Sequence, residues 1–328
     1  MTDGLRWQEV FSGADPALIN KDLGGLSDSA AGALKREFWR DTPEARREAL
    51  LPFVWGAMAK QGQIFGNRQA GSDAYVTNGF NFSYPGYNET LTGAPDPRIH
   101  SNDKLPNPNT TVLEWLNSKP AFHGRVAAFG AWDVFPFIFN APRAGFPVNA
   151  GYDPLTTPPV TPRLAMINRL KADTVVWPDE SFDPFPFHTA LEYLKLHKPR
   201  VLFLGLGDTD EWAHAGKYDL YLQTAHRADA YLKELWDTVQ SMKEYRGNTT
   251  LIFTPDHGRG EGPEWKSHGE KVPGSKYIWM AFLGPDTAAA GERRNVAAVT
   301  QSQVAATLAA LLGESFPAGS PITAVLPR

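Results

Sequence analysis

VLFLGLGDTDEWAHAG, residues 201–216, is the stretch of sequence on which the fold prediction depends. Its apolar half predicts a buried strand, and the acids after Gly207 predict that a helix begins there. Asp210 and His214 would then lie one turn apart on the same helical face. A carboxylate and an imidazole in that geometry can bind one cation, although acids in a first helical turn also complement the helix dipole. The pair therefore predicts either a metal site or a helix start, and the rest of the chain has to decide between them.

Strands and helices alternate along the rest of the chain. Apolar runs predict further strands near Gln63–Phe65, Ala74–Val76, Arg125–Trp132, Thr249–Thr254 and Tyr277–Leu283. Apolar periodicity and capping residues predict helices over about Thr42–Lys60, Thr111–Asn117, Pro162–Lys171, His188–His197, Lys217–Tyr245 and Thr300–Leu312. This alternation predicts an α/β sandwich with a mostly parallel sheet. In such sheets, ligands bind beyond the carboxyl ends of the strands.

Composition excludes several classes of function. A net charge of −4 argues against nucleic acid and anionic membranes as partners. No apolar run approaches the roughly 18 residues that a membrane span needs. The chain has no cysteine, which removes disulfides, thiolate metal sites, cysteine nucleophiles and cysteine-derived formylglycine.

The chain starts with MTDGLRW, which is typical of the end of a strand, yet only two residues precede Asp3. We therefore expect the first strand to be truncated here, with the rest of it, and an export signal before it, encoded upstream.

Residues of the kinds that bind metals or attack esters recur where strands are predicted to end. Asp3 lies in TDGLR, Ser83 lies in NFSYPGYNETLTG, Asp256 and His257 lie in TPDHGRG, and His268 lies in EWKSHGE. Each histidine by itself is as readily structural as ligating. Together with Asp210 and His214, however, these aspartates and histidines favour a metal site.

TPDHGRG, the Asp210–His214 pair, the downstream His268 and the N-terminal Asp3-Gly4 together resemble the alkaline phosphatase superfamily. The most similar branch contains nucleotide pyrophosphatase/phosphodiesterases and related phosphate-ester hydrolases. The resemblance spans nearly the whole chain, as far as the closing helix with VAATLAALLGE. It implies a three-layer α/β/α sandwich, one catalytic domain over residues 1–328, and a periplasmic or secreted location.

The family pattern also implies two divalent metal ions, most often zinc, each bound by three side chains. The first ion would be bound by Asp210, His214 and His268, and the second by Asp3, Asp256 and His257.

Ser83 matches the position of the family's nucleophile, because it precedes an aromatic residue and a proline and is followed by Thr92-Gly93. The match is partial, since Gly86 and Tyr87 replace the Asn and His of the phosphodiesterase branch. Sulfatases have an arginine where this chain has Tyr87, which argues against that activity. The resemblance implies that a metal-activated Ser83 attacks phosphorus and forms a covalent phosphoenzyme.

Other assignments at this site are less specific. Ser83 could simply form a turn before the following proline, and Thr90 and Thr92 are alternative nucleophiles. Asn88 and Arg259 are candidate substrate-binding residues that could contact phosphoryl oxygens, although the first could cap a helix and the second could be solvated.

The sequence thus predicts a metal-dependent hydrolase of small phosphate esters, either a phosphodiesterase or a phosphomonoesterase. A sulfatase-like or phosphotransferase member of the superfamily is an alternative. Two further alternatives are a hydrolase that uses one metal ion and a non-catalytic protein whose metals stabilise its fold.

Overall fold

The strands in the computed structural model, which describes residues 1–327, are short and carry the apolar runs of the sequence. They are β1 (Gln63–Phe65), β2 (Ala74–Tyr75), β3 (Val126–Gly130), β4 (Val148–Ala150), β5 (Val201–Gly205), β6 (Leu251–Phe253), β7 (Met280–Leu283), β8 (Gly291–Glu292) and β9 (Val299–Thr300).

Helices cover the strands and connect them. They are α1 (Trp7–Ser12), α2 (Lys21–Gly24), α3 (Asp28–Phe38), α4 (Pro43–Leu50), α5 (Ala59–Gln61), α6 (Ser83–Thr92), α7 (Val112–Asn117), α8 (Phe135–Ile138), α9 (Ala141–Ala144), α10 (Pro162–Asp173), α11 (Pro184–His197), α12 (Asp208–His214), α13 (Tyr218–Ser241) and α14 (Gln303–Leu311). No helix within residues 1–327 is long and apolar enough to cross a membrane.

The strands form two main sheets, ordered β4-β3-β5 and β6-β7-β1-β8, and a small ribbon of β2 and β9. β3 pairs in parallel with both β4 and β5, whereas β7 runs antiparallel to β6 and β1. Thr2 joins the two sheets, because it forms parallel bridges to both Leu206 and Pro255. The predicted α/β sandwich with a mostly parallel sheet is confirmed, and Asp3 lies where β5 and β6 both end.

Two glycines on adjacent strands allow the ring of Phe135 to pack directly against the sheet. Gly130 of β3 and Gly205 of β5 face each other in register. The Phe135 ring lies directly on both, so that a Cβ at either position would come within 2.3 Å of ring atoms. Only glycine leaves room for this contact, which brings Phe135 under helix α6.

Local details differ from the prediction in three places. The helix predicted over Thr42–Lys60 ends at Leu50, just before Pro52, and continues as a π-helical turn over Val54–Met58. That break is expected of a proline, which removes a helical hydrogen bond. The region 141–162, predicted as an ordered excursion, contains β4 and so widens the parallel sheet. Helix α6 begins at Ser83, not after Pro85.

Candidate metal centre

The predicted ligands converge at the carboxyl ends of β5 and β6, where the first residues of the chain lie between the two strands. Asp210 and His214 lie on α12, the helix that follows β5, and Asp256 and His257 directly follow β6. Asp3 is positioned between them, because its N–H donates to the Leu206 carbonyl over 2.8 Å.

Six carboxylate and imidazole side chains form two overlapping clusters that share one histidine. In the first cluster, ligand atoms of Asp210, His257 and His268 lie within 4.8 Å of one another, and in the second cluster those of Asp3, Asp256 and His257 do the same. His214 joins the first cluster at its half-exposed edge. Its Nε2 lies 3.1 Å from Asp210 Oδ2 and 3.0 Å from His268 Nε2. The structure therefore brings together all six predicted ligands.

The imidazoles of His257, which is buried, and of His268, which is mostly buried, both present Nε2 to the clusters. His257 Nδ1 lies 2.9 Å from the Gly258 carbonyl and His268 Nδ1 lies 3.2 Å from the Asn81 carbonyl. Because a carbonyl only accepts, each Nδ1 carries the proton and donates it, which leaves the lone pair on Nε2. Burial, together with the nearby His257, lowers the pKa of His268 to about 2, so its ring is neutral at pH 7.

The pKa values of the carboxylates are shifted by burial and by the charges of their neighbours. Burial, reinforced by neighbouring carboxylates, raises the pKa of Asp3 and of Asp256 well above the usual range. Burial acts in the same direction on Asp210, but the Arg259 guanidinium and nearby imidazoles outweigh it and hold the pKa of that carboxyl well below its usual range. Divalent cations would reverse the penalty on Asp3 and Asp256, because their charge favours the ionised carboxylates.

The donor set fits divalent metal ions. Asp3 Oδ1 and Asp256 Oδ2 are buried without a hydrogen-bond partner, and both lie near His257 Nε2, at 3.1 Å and 3.6 Å. Buried carboxylate oxygens are normally paired, so unpaired ones that converge on an imidazole lone pair indicate a cation site. Oxygen and nitrogen donors without thiolates suit zinc and similar metals.

Ser83 lies at the junction of the two clusters. Its Oγ is 3.5 Å from Nε2 of His257, the residue that belongs to both. The side chain is buried at the first position of α6, so the positive end of the helix dipole is close to the hydroxyl. Asn102, which the sequence analysis missed, accepts the Tyr84 N–H on its Oδ1 over 3.0 Å and so caps the helix.

Arg259 is buried, not solvated. Its guanidinium pairs with the Asp210 carboxylate and donates to the Lys266 carbonyl over 2.7 Å. The arginine therefore contacts a predicted metal ligand, and its Nη1 and Nη2 are already occupied by protein groups.

Three other candidates have side chains that hydrogen-bond to groups outside the two clusters. Asn88 was predicted as a substrate-binding residue, but its side-chain oxygen is already bound by other protein groups. It is buried, and its Oδ1 accepts from the Asn107 and Asn109 side chains, both over 3.1 Å. The alternative nucleophiles Thr90 and Thr92 donate their hydroxyls to backbone carbonyls of Gly86 and Ala94.

Comparison with known proteins finds a family match over part of the chain and solved structures with a similar fold. Residues 185–312 match the family model described as "Metalloenzyme superfamily". No curated protein gives a significant sequence match. The chain is similar in structure to the alkaline phosphatase PafA, with a TM-score of 0.60 and 13% identity over 83% of this chain and 93% of that one.

Two further solved structures extend the comparison. A phosphonate monoester hydrolase from Silicibacter pomeroyi matches with a TM-score of 0.59 and 13% identity, over 98% of this chain and 74% of that one. A 2-O GAG sulfatase, BT1596, matches with a TM-score of 0.50 and 14% identity, over 82% of this chain and 67% of that one.

The chain therefore has the α/β/α fold of the alkaline phosphatase superfamily, and the resemblance predicted from the sequence is confirmed at that level. The narrower assignment to the nucleotide pyrophosphatase/phosphodiesterase-like branch stays a prediction.

Proposed function

We propose that this protein is a hydrolase of small phosphate esters that uses two divalent metal ions, most simply zinc, and Ser83 as its nucleophile. The observation that carries the proposal is the position of Ser83 Oγ, 3.5 Å from the imidazole nitrogen that both ligand clusters share. The metals would be bound by Asp210, His214 and His268, and by Asp3, Asp256 and His257.

Bound divalent cations would favour the serine alkoxide at neutral pH and neutralise charge that develops on the phosphoryl oxygens. The chain's own part is to hold Ser83 Oγ at the start of α6, where the helix dipole also favours an anionic phosphoryl group. Ser83 Oγ then attacks phosphorus, the ester oxygen leaves with its electron pair, and a phosphoserine forms. Water hydrolyses this intermediate, which releases phosphate and restores the hydroxyl.

The test is a panel of chromogenic phosphate monoesters, phosphate diesters and sulfate esters, assayed with zinc on the parent protein and on Ser83→Ala. We expect hydrolysis of a phosphate ester and a loss of kcat of at least about 10³-fold in Ser83→Ala. Thr90→Val is the matched control: it removes a hydroxyl from the same helix, but one that donates to the Gly86 carbonyl, and should keep its activity.

Different results would lead to different conclusions. Phosphate-ester hydrolysis that survives in Ser83→Ala would refute the nucleophile assignment. Hydrolysis of sulfate esters alone would indicate a sulfatase. A parent protein that binds two metals, is stabilised by them and hydrolyses nothing in the panel would be a metal-stabilised binding protein, and one bound metal per chain would favour single-metal chemistry.

A further inference from the structure

One face of helix α6 contacts every ligand of the second cluster. Ser83 Oγ reaches His257, and one turn later the backbone at Gly86 lies against Asp256. A Cβ at Gly86 would be only 2.3 Å from the Asp256 carbonyl oxygen. Tyr87 follows, with its hydroxyl 3.5 Å from Asp3 Oδ2. Positions i, i+3 and i+4 share a helical face, so these contacts follow from the helix itself.

The Tyr87 hydroxyl is fixed in place by packing. The side chain is 1% exposed, and its ring meets Phe135 edge-on with centroids 4.9 Å apart and Phe203 with centroids 6.3 Å apart. A phenol ring packed against other aromatic rings has little freedom to move, so its oxygen stays in one place and the side chain extends in one direction. That direction is towards Asp3.

Each ligand of the second cluster is held through one atom and is free at the other. Asp256 Oδ1 accepts from the backbone N–H groups of Gly4 and His257, over 3.0 Å and 2.9 Å, which leaves Oδ2 unpaired. His257 is held through Nδ1 by a backbone carbonyl. The Oδ2 of Asp3 accepts from the Tyr87 hydroxyl over 3.5 Å, and its Oδ1 is unpaired. The unpaired atoms are the ones that converge.

We infer that Tyr87 is a positioning residue that orients Asp3 so that Oδ1 faces the second metal ion. Backbone groups hold Asp256 and His257, whereas Asp3 depends on a side-chain hydroxyl. Residues that orient metal ligands in this way typically contribute 10–100-fold to metal affinity. The inference rests on the proposed two-metal centre, and it assigns a role to a residue that departs from the family pattern.

Tyr87→Phe tests this inference, because it deletes one oxygen and leaves the packed ring. We expect zinc to bind the second site about 10–100-fold more weakly in Tyr87→Phe, as measured by competition with a chromogenic chelator, while the first site is unchanged. Activity lost at limiting zinc should return at saturating zinc. Tyr84→Phe is the matched control, because its buried hydroxyl, on the same helix, donates to the Leu105 and Phe137 carbonyls instead.

Equal zinc affinities in the parent and Tyr87→Phe would overturn the inference, as would equal weakening in Tyr84→Phe, since a general effect of losing a buried hydroxyl would then explain both. Thermal unfolding of the metal-free variants checks that both fold. Failure of the proposed function would give a different result, because a parent protein that hydrolyses no ester could still bind zinc more tightly than Tyr87→Phe does. A parent that binds no second zinc would overturn the inference outright.

Discussion

Arg259 is a buried cation that contacts the candidate centre, and its removal should destabilise the metal-free protein severely. Its side chain is fully buried and pairs with Asp210, and its charge also acts to lower the pKa of Asp3. Arg259→Gln would leave the Asp210 carboxylate without this partner in a site that water barely reaches. Breaking a buried ion pair by removing one member costs about 3–5 kcal/mol, because the remaining charge is left uncompensated.

The pKa directions support that magnitude. Arg259 is the main influence that opposes burial at Asp210, where the pKa is held well below its usual range. Without the guanidinium, Asp210 would resemble Asp3 and Asp256, whose pKa values are raised by burial. Zinc should restore much of the loss, since a bound dication compensates the same carboxylate. The destabilisation should therefore be large in the metal-free protein and smaller in the zinc-loaded one.

Urea unfolding of the parent and Arg259→Gln, each with zinc and after chelation, measures both effects. Arg163→Gln is the control, because its side chain is 56% exposed and its partner Glu192, at 3.1 Å, keeps a second cation in Lys195, at 3.7 Å. Such pairs contribute about 0–1 kcal/mol. If metal-free Arg259→Gln loses no more stability than Arg163→Gln, or if zinc makes no difference to the loss, the account of Arg259 as an internal counter-ion is wrong.

Two further predictions concern buried carboxylates outside the clusters. Burial raises the pKa of Asp229 to about 6, even though its carboxylate accepts the Phe53 and Val54 N–H groups. The native state then holds this proton more tightly than the unfolded chain, so between about pH 4 and pH 6 stability should fall by about 3 kcal/mol as pH rises. Urea unfolding across that range should show this component in the parent and not in Asp229→Asn. The second carboxylate, Glu89, accepts hydrogen bonds from Thr77, Asn78 and Ser302. Glu89→Gln would turn an NH₂ group towards some of these donors, so we expect the free energy of unfolding in urea to fall by about 3 kcal/mol. A fall of less than about 1 kcal/mol would contradict this.

The positions of the candidate metal ligands could be predicted from the sequence because their signals are local. An apolar run followed at once by Asp210, or by Asp256 and His257, marks the end of a strand without any knowledge of the fold. The rule that parallel strands place their carboxyl ends at one edge then brings these residues together. Asp3 needed only the same rule, applied to the chain's first residues.

The start of α6 could not be predicted in the same way. Pro85 suggests that the helix begins after it, because proline favours the first turn. Proline also fits the third helical position, where no helical partner is available for an N–H. The helix begins three residues earlier because Asn102, 18 residues further along the chain, accepts the Tyr84 N–H. Arg259 was likewise ambiguous on its glycine-rich loop, since the partner that buries it, Asp210, is 49 residues away.

The two positions where this chain departs from the family pattern have a common structural explanation. Gly86 lets α6 approach the Asp256 backbone more closely than any other residue would, and Tyr87 then spans the distance to Asp3. Because Ser83 lies on the same face of the same helix, the proposed nucleophile and the proposed ligands of the second metal ion are parts of one arrangement. Any change that shifts α6 should therefore lower zinc affinity and the rate of Ser83 attack together. A change that lowers the rate alone must act on the hydroxyl itself or on the substrate.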